Sequence, residues 1–68
     1  MKIDDLREGA IYEGKTGKAR HLSYFRRNGY RAVYYRVDQY GRPYGHFECW
    51  ASAFAKWAVR ARGGTDDA

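Results

Sequence analysis

The dipeptide Asn28-Gly29 constrains the fold of this chain more than any other feature of its sequence. It separates two runs, Lys18 to Phe25 and Tyr30 to Val37, that are rich in the aromatic and β-branched residues favoured in strands. Asn-Gly is the preferred centre of a two-residue type I′ turn, because both central positions of that turn need a positive φ. The sequence therefore predicts a tight antiparallel β-hairpin around residues 28 and 29.

A two-residue turn also decides which residues face each other across the hairpin. It places Tyr24 opposite Val33 and Leu22 opposite Tyr35, on a face that is apolar apart from Arg20 near one end. The opposite face carries Phe25 with Ala32, Ser23 with Tyr34, and His21 with Arg36. Because the first face suits a core, we expect the rings of the second face to be the accessible ones.

The same register brings like charges together at the tip of the hairpin. Arg26 faces Arg31, and Arg27 adds a third positive charge nearby. Like charges directly opposite each other destabilise a sheet. One interpretation is a clamp that closes on a phosphate or on a carboxylate-rich partner. The other is a solvated tip whose long side chains splay apart.

The segments around the hairpin predict further short strands. Residues 10–12 are a strand candidate, and a glycine turn follows at residues 14–17. Glycine and proline mark residues 39–45 as a loop. Residues 46–48 then form a short final strand.

After residue 49 the spacing of the apolar residues changes to that of an α-helix. The stripe consists of Trp50, Phe54, Trp57, Ala58 and Ala61. Intervening alanines raise the helix propensity of this segment. Arg60 and Arg62 suit the C-terminal end of a helix dipole, and Gly63 suits the C′ position. We therefore expect a helix from about residue 50 to residue 61.

Two short segments resemble known groups of proteins. Gly9-Ala10-Ile11-Tyr12 and the pattern Gly14-x-x-Gly17-Lys18-x-Arg20-x-Leu22 are similar to the KOW-type first hairpin of SH3-like small barrels. That resemblance implies a small barrel that binds RNA or a partner protein. Phe54-Ala55-Lys56-Trp57-Ala58 resembles a segment of small uncharacterised phage and prophage proteins. This second resemblance implies a bacterial cell under phage control and carries no activity with it.

The elements together predict the α+β class. The expected architecture is a small antiparallel β-sheet or an SH3-like partial barrel of three to five strands, with one C-terminal α-helix. The 68 residues suffice for a single small domain. Residues 1–8 are expected to form a lead-in anchored by Leu6, and residues 64–68 a flexible tail.

Positive charge is concentrated in the centre of the chain. The formal net charge is +5, yet residues 15–62 hold eleven Lys and Arg residues against only Asp38 and Glu48. This balance favours an anionic partner, either nucleic acid or an acidic protein surface. The same charge also serves solubility, so it does not identify a partner by itself.

Other classes of function have little support in the sequence. Cys49 is the one cysteine, so neither an internal disulfide nor a zinc site with several thiolates can form. His21 and His46 lie in a basic setting that disfavours a bound cation. Paired carboxylates for acid–base catalysis are missing. We therefore predict no metal, no cofactor and no enzyme activity.

The sequence also predicts a cytoplasmic protein without a membrane partner. No apolar run approaches the length of a membrane span, and the N-terminal residues lack the apolar core of a signal peptide. A lone cysteine is in keeping with a reducing compartment.

The leading hypothesis is a non-catalytic module that binds nucleic acid, DNA or RNA, through the basic hairpin and the loop after it. Guanidinium and ammonium groups would hold phosphates, and tyrosine rings would stack with unpaired bases. The candidate binding residues are Lys18, Arg26, Arg27, Tyr30, Arg31, Tyr34, Arg36, Tyr40 and Arg42.

Two alternatives stay open at this point. The chain could be a phage or prophage protein that binds and inhibits or modulates an acidic surface of a host protein, because arginine and tyrosine also dominate protein interfaces. It could instead self-associate through an open face of the sheet. Composition does not separate these alternatives, and it leaves the oligomeric state undecided.

Overall fold

A computed structural model describes residues 1–62 and has a five-stranded antiparallel sheet with one short α-helix. In chain order the elements are a 3₁₀ turn Ile3–Asp5, strands β1 Ile11–Glu13, β2 Ala19–Arg26, β3 Arg31–Val37 and β4 Pro43–Trp50, helix α1 Ala51–Trp57, and strand β5 Arg60–Ala61. The strands lie side by side in the order β4-β3-β2-β1-β5. The predicted small antiparallel sheet with a helix is confirmed. The predicted tail, residues 64–68, lies outside the described residues.

The tip of the β2–β3 hairpin has the predicted register but a longer turn. Arg26 pairs with Arg31, and Tyr24 pairs with Val33, as expected. Between the paired arginines, Arg27, Asn28 and Gly29 all have positive φ, at 52°, 56° and 92°. The predicted Asn28-Gly29 turn is present, since the Tyr30 N–H donates to the Arg27 carbonyl at 3.1 Å. The positive φ of Arg27 lengthens the connection, so that four residues separate β2 from β3.

Further from the tip the register shifts by one residue. The pairing of β2 with β3 has a bulge at Ser23, so that Leu22 pairs with Tyr34 instead of Tyr35. The extra residue in β2 moves the residues before Ser23 in that strand to the face opposite the predicted one. The predicted apolar face is therefore wrong: Leu22 and Tyr34 share one face, while Tyr24 lies on the opposite face with Tyr35.

The core lies between helix α1 and the face of the sheet that carries Leu22 and Tyr34. Phe54 of α1 is fully buried at its centre. Its ring makes edge contacts with Tyr12 at 5.9 Å and with Tyr34 at 5.5 Å between centroids. Burial of one such ring stabilises the fold by about 1.5–3 kcal/mol. Leu6 is buried in the same cluster, so the lead-in is anchored as expected.

Helix α1 is shorter than the apolar stripe predicted. It ends at Trp57, and Ala58 has the extended angles φ −73° and ψ 126°. The chain then turns back along β1, where the Val59 N–H donates to the carbonyl of Glu13 at 2.8 Å. Arg60 lies in β5 rather than in the last turn of a helix. Pairing with β1 satisfies backbone groups that a longer helix would otherwise have satisfied.

Two further expectations for this region are wrong. Trp50, which the stripe placed in the core, precedes the helix and is 58% exposed. Strand β4 begins at Pro43, so that the predicted loop of residues 39–45 shortens to about residues 38–42. Proline is tolerated there because it is the first residue of an edge strand. Within residues 1–62, no helix is long and apolar enough to cross a membrane.

Candidate functional site

A groove with a volume of about 620 Å³ opens at one end of the sheet. It lies between the turn that joins β1 to β2 and the loop that joins β3 to β4. Its lining is made of Thr16, Gly17, Lys18, Ala19, Arg20, Arg36, Val37, Asp38, Gln39, Tyr40, Tyr44, Trp57 and Arg62. We call this feature the groove. It combines cationic side chains with three aromatic rings.

The two walls of the groove are held by short-range hydrogen bonds. In the first wall, Gly14 donates to the Lys18 carbonyl at 3.0 Å, and Gly17 turns the chain with a φ of 85°. In the second wall, one carboxylate oxygen of Asp38 accepts the backbone N–H groups of Tyr40 and Arg42, both at 2.9 Å. Aspartate commonly stabilises turns in this way. Both walls are therefore fixed by the fold.

The floor of the groove is a stack of side chains centred on Arg20. Its guanidinium carbon lies 4.1 Å from the centre of the Trp57 ring and 4.7 Å from the centre of the Tyr34 ring. The indole of Trp57 packs so close to Gly14 that a Cβ on that residue would lie 2.5 Å from Nε1. Glycine is thus required at position 14 by the position of the indole.

The charge of the groove is strongly positive. Its cationic residues are Lys18, Arg20, Arg36 and Arg62. Asp38 is the one acid in the lining, and its carboxylate is engaged with backbone N–H groups. Arg62 forms an ion pair with Glu13 at 2.8 Å. Hydrogen bonding from Arg62 holds the pKa of Glu13 below its usual value. Among residues 1–62, Lys18 and Arg36 have no ion-pair partner and can meet an anion.

Two rings at the rim of the groove are open to solvent. Tyr40 is 75% exposed, and Tyr44 is 53% exposed. Arg42 lies beside the first of them, 6.0 Å from the ring centre. Arg36 lies 4.6 Å from the centre of the Phe47 ring. The rim therefore offers flat π-faces next to planar cations.

The hairpin tip, residues 26–31, is a separate cluster with a different chemistry. Glu48 on β4 accepts hydrogen bonds from Arg26 and from Arg31, both at 2.7 Å. Arg31 also lies 4.5 Å from the centre of the Trp50 ring. Hydrogen bonding, foremost from Arg31, lowers the pKa of Glu48. The repulsion expected between the two arginines is thus compensated inside the fold, and it does not require an external anion.

The structure divides the candidate binding residues between these two places. Three of them line the groove: Lys18, Arg36 and Tyr40. Four belong to the hairpin tip: Arg26, Arg27, Tyr30 and Arg31. The eight residues of β2 separate the groups by roughly 25 Å, at about 3.3 Å per residue. Arg42 lies beside the groove at the loop.

Tyr34 is the one candidate that the structure removes from the surface. It is only 6% exposed, and its ring packs in the core against Phe54. The expectation that it presents an open stacking face is wrong, because Tyr34 and Ala32 lie on the face of the sheet that helix α1 covers. Phe25, expected on the same accessible face, is also partly buried against the core.

Several residues of these clusters are not predicted by the sequence. The patterns place Arg20 at the end of an apolar face, Trp57 in the core, Arg62 at the end of a helix and Glu48 in no cluster. No local pattern in the sequence brings β2, β4 and the end of α1 together. A weak signal did exist for Glu48, since it is one of only two acids in the basic centre of the chain.

The sheet face opposite the core carries a row of stacked rings. Tyr35 lies between His21 and His46, with centroid distances of 6.2 Å and 4.8 Å. We call this the ladder face; Tyr24 and Trp50 extend it and are exposed. Within residues 1–62, no group of three or more His, Cys, Asp or Glu side chains is placed to hold a metal ion.

Cys49 lies apart from the ladder face, on the core side of the sheet. It is half-buried and packs against the core. Burial raises the pKa of its thiol, and a raised thiol pKa disfavours the reactive thiolate.

No family model matches the chain, and neither the curated proteins nor the solved structures that were searched contain a match to it.

Proposed function

We propose that the protein is a non-catalytic module that binds nucleic acid in the groove. The observation that carries the proposal is the charge of the lining, which has four cationic side chains against one acid, Asp38. One of the four, Arg62, is paired with Glu13, so three cations are left to face a ligand. Phosphate groups are the anions that a polynucleotide presents to such a surface. Lys18 and Arg36 are the residues assigned to the phosphates.

The fixed walls of the groove support binding rather than chemistry. Asp38 is the one carboxylate in the lining, and its Oδ1 atom stabilises the loop by accepting two backbone N–H groups. Among residues 1–62, no second carboxylate lines the groove to work with it as an acid–base pair. The groove instead offers donors and rings, which suit recognition of a nucleic acid chain.

The proposal extends to the architecture of the sheet. We infer an SH3-like partial barrel, because β5 pairs with β1 and β1 pairs with only the first part of β2. The bulge at Ser23 increases the local twist of β2 where the sheet would bend. In this arrangement the groove lies at the open end between two connecting loops.

A second function, binding of an acidic surface on a host protein by a phage or prophage protein, is favoured by the ladder face. Trp50 and Tyr24 are large exposed rings, and Arg26 lies beside them with its side chain half exposed. Tryptophan, tyrosine and arginine are the residues most often found at interface hot spots. Either partner would be met in the cytoplasm.

The nucleic-acid function is tested by measuring the fluorescence anisotropy of labelled oligonucleotides at about 50 mM salt, where electrostatic binding is strong. Nucleic-acid binding in the groove predicts that the double variant Lys18→Gln, Arg36→Gln loses affinity by roughly tenfold or more. A matched variant, Arg27→Gln with Lys56→Gln, removes two exposed charges outside the groove and should retain most of the affinity.

Absence of binding under these conditions would reject the nucleic-acid proposal. Equal losses from the two double variants would reject the groove as the binding site, because the net charge alone would then explain binding. Labelled polyglutamate serves as a control anion. If it binds as tightly as the oligonucleotides, the groove is a general polyanion-binding surface and not a nucleic-acid site.

A further inference from the structure

We infer that the groove takes single-stranded nucleic acid, with unpaired bases stacked on Tyr40 and Tyr44 at its rim. This inference rests on the proposed function and specifies the class of ligand. Three features carry it: the exposure of the rim tyrosines, the size of the groove relative to a nucleic acid chain, and the cations that lie beside the rings.

The exposure of the rim tyrosines is the first argument. Tyr40 and Tyr44 are 75% and 53% exposed although the core of this small fold uses aromatic rings elsewhere. A duplex keeps its bases stacked on one another and presents mainly phosphates along its outside. The rings would have no base to contact on such a ligand. A single strand offers π-faces that can stack on both.

The size of the groove is the second argument. Its volume of about 620 Å³ lies within the roughly 300–1,000 Å³ typical of sites for small ligands. A site of this size suits one or two nucleotides, with the adjoining chain lying over the rim. Duplex DNA is too wide to enter a site between two short loops, so it can touch only the outer cations.

The arrangement of cations beside the rings is the third argument. Lys18 and Arg36 line the groove together with Tyr40 and Tyr44, so phosphate contacts and base contacts arise within one site. The loop that carries Tyr40 is fixed by the two hydrogen bonds to Asp38. A loop backbone that is already ordered loses little freedom on binding, which favours affinity.

The hairpin tip provides an internal control for this argument. Tyr30 is 70% exposed, close to the exposure of Tyr40, but it lies at the other end of β2 and lines no part of the groove. If an exposed tyrosine were sufficient for stacking, removal of the Tyr30 ring would lower the single-strand affinity as much as removal of the Tyr40 ring. We expect that Tyr30→Ala changes the affinity for a single strand by less than about twofold.

The experiment uses tryptophan emission in the full chain. Trp57 forms part of the groove, whereas Trp50 lies over Arg31 at the hairpin tip. In the variant Trp50→Phe the emission reports on the groove alone. Addition of an eight-nucleotide oligothymidine, or its uridine counterpart, should change this emission, and a twelve-base-pair duplex should bind at least tenfold more weakly.

Alanine variants then test the stacking directly. Tyr40→Ala and Tyr44→Ala should each weaken single-strand binding by roughly 5- to 150-fold, the range reported by alanine substitution of base-stacking rings. Circular dichroism confirms that each variant is folded, which is expected because both rings are exposed. Tyr40→Phe keeps the π-face and should restore most of the affinity.

The outcomes distinguish this inference from the proposal it rests on. Duplex bound as tightly as single strand, with both alanine variants unaffected, would overturn the inference and leave groove binding of nucleic acid standing. Failure of both ligands to bind at about 50 mM salt would overturn the proposed function and the inference with it.

Discussion

Arg20 lies over the indole of Trp57, with 4.1 Å between the guanidinium carbon and the ring centre. The same guanidinium contacts the ring of Tyr34, which belongs to the core. One arginine thus connects the packed interior to the floor of the groove. Its substitution is expected to affect both stability and binding.

Arg20→Ala should lower stability by about 1–2 kcal/mol, because two cation–π contacts of roughly 0.5–1 kcal/mol each are lost. Arg20→Lys keeps the charge but lacks the planar group that stacks, so its stability should fall between the parent and the alanine variant. Thermal denaturation of the three proteins measures this order. Equal stability of parent and alanine variant would show that the stack adds nothing to the fold.

Gly14→Ala should destabilise the protein through a clash with Trp57. The added Cβ would lie 2.5 Å from Nε1 and 2.7 Å from Cε2, so the indole must move. Leucine ends at its Cδ atoms and has no atom at those positions. The cost of Gly14→Ala should therefore be much smaller in a Trp57→Leu background, and a double-mutant cycle of melting curves measures the difference. Additive effects of the two changes would contradict the proposed contact.

Phe54→Ala should cost about 3–5 kcal/mol, since it leaves a cavity at the centre of the core. Trp50→Ala should change the free energy of unfolding far less, because that ring is exposed. Urea denaturation compares the two. Phe54→Leu provides a milder variant if the alanine protein does not fold. A larger loss at Trp50 than at Phe54 would contradict the short helix and its N-terminal boundary.

The hairpin tip should show a dependence on pH that involves Glu48. The pKa of Glu48 in the folded protein is lowered, foremost by the hydrogen bond from Arg31. Its stabilising contribution is therefore complete above the ordinary glutamate value of about 4.3 and is lost as the pH falls towards the lower folded value. Glu48→Gln should melt at a lower temperature than the parent at pH 7.

The difference in melting temperature between the parent and Glu48→Gln should depend on pH, because acid protonates Glu48 in the parent. Below the folded pKa of Glu48 the parent has also lost the charge, so the gap in melting temperature between parent and Glu48→Gln should narrow. Arg31→Gln should lower the melting temperature at pH 7 as well. A gap that stays constant from pH 7 to pH 3 would show that the carboxylate does not bind its arginines in solution.

The sequence predicted the parts of the fold that depend on neighbours in the chain. The Asn28-Gly29 dipeptide placed the hairpin and the pairing of Arg26 with Arg31, because turn chemistry acts over a few residues. The bulge at Ser23 has no comparable local signal. Its effect is to place Leu22 on the face that carries Tyr34 and is covered by Phe54.

Residues 50–61 show where prediction from local sequence fails. Residues 50–61 have helical spacing, yet Arg60 pairs with Glu13 and continues the sheet. A strand that lies 47 positions away in the sequence decides this outcome. For the same reason the groove could be predicted only in part. Its phosphate-binding candidates Lys18 and Arg36 were found from charge, but its floor was not.

The dependence of binding on salt tests the central claim, that the groove holds the phosphates of a nucleic acid. Phosphate contacts from Lys18 and Arg36 predict a slope of about −1.4 for the logarithm of the single-strand association constant against that of salt concentration. The double variant Lys18→Gln, Arg36→Gln should reduce the magnitude of this slope by about 1.4. Arg27→Gln with Lys56→Gln should leave it unchanged. An unchanged slope in the groove variant, or an equal reduction in the control, would contradict the account.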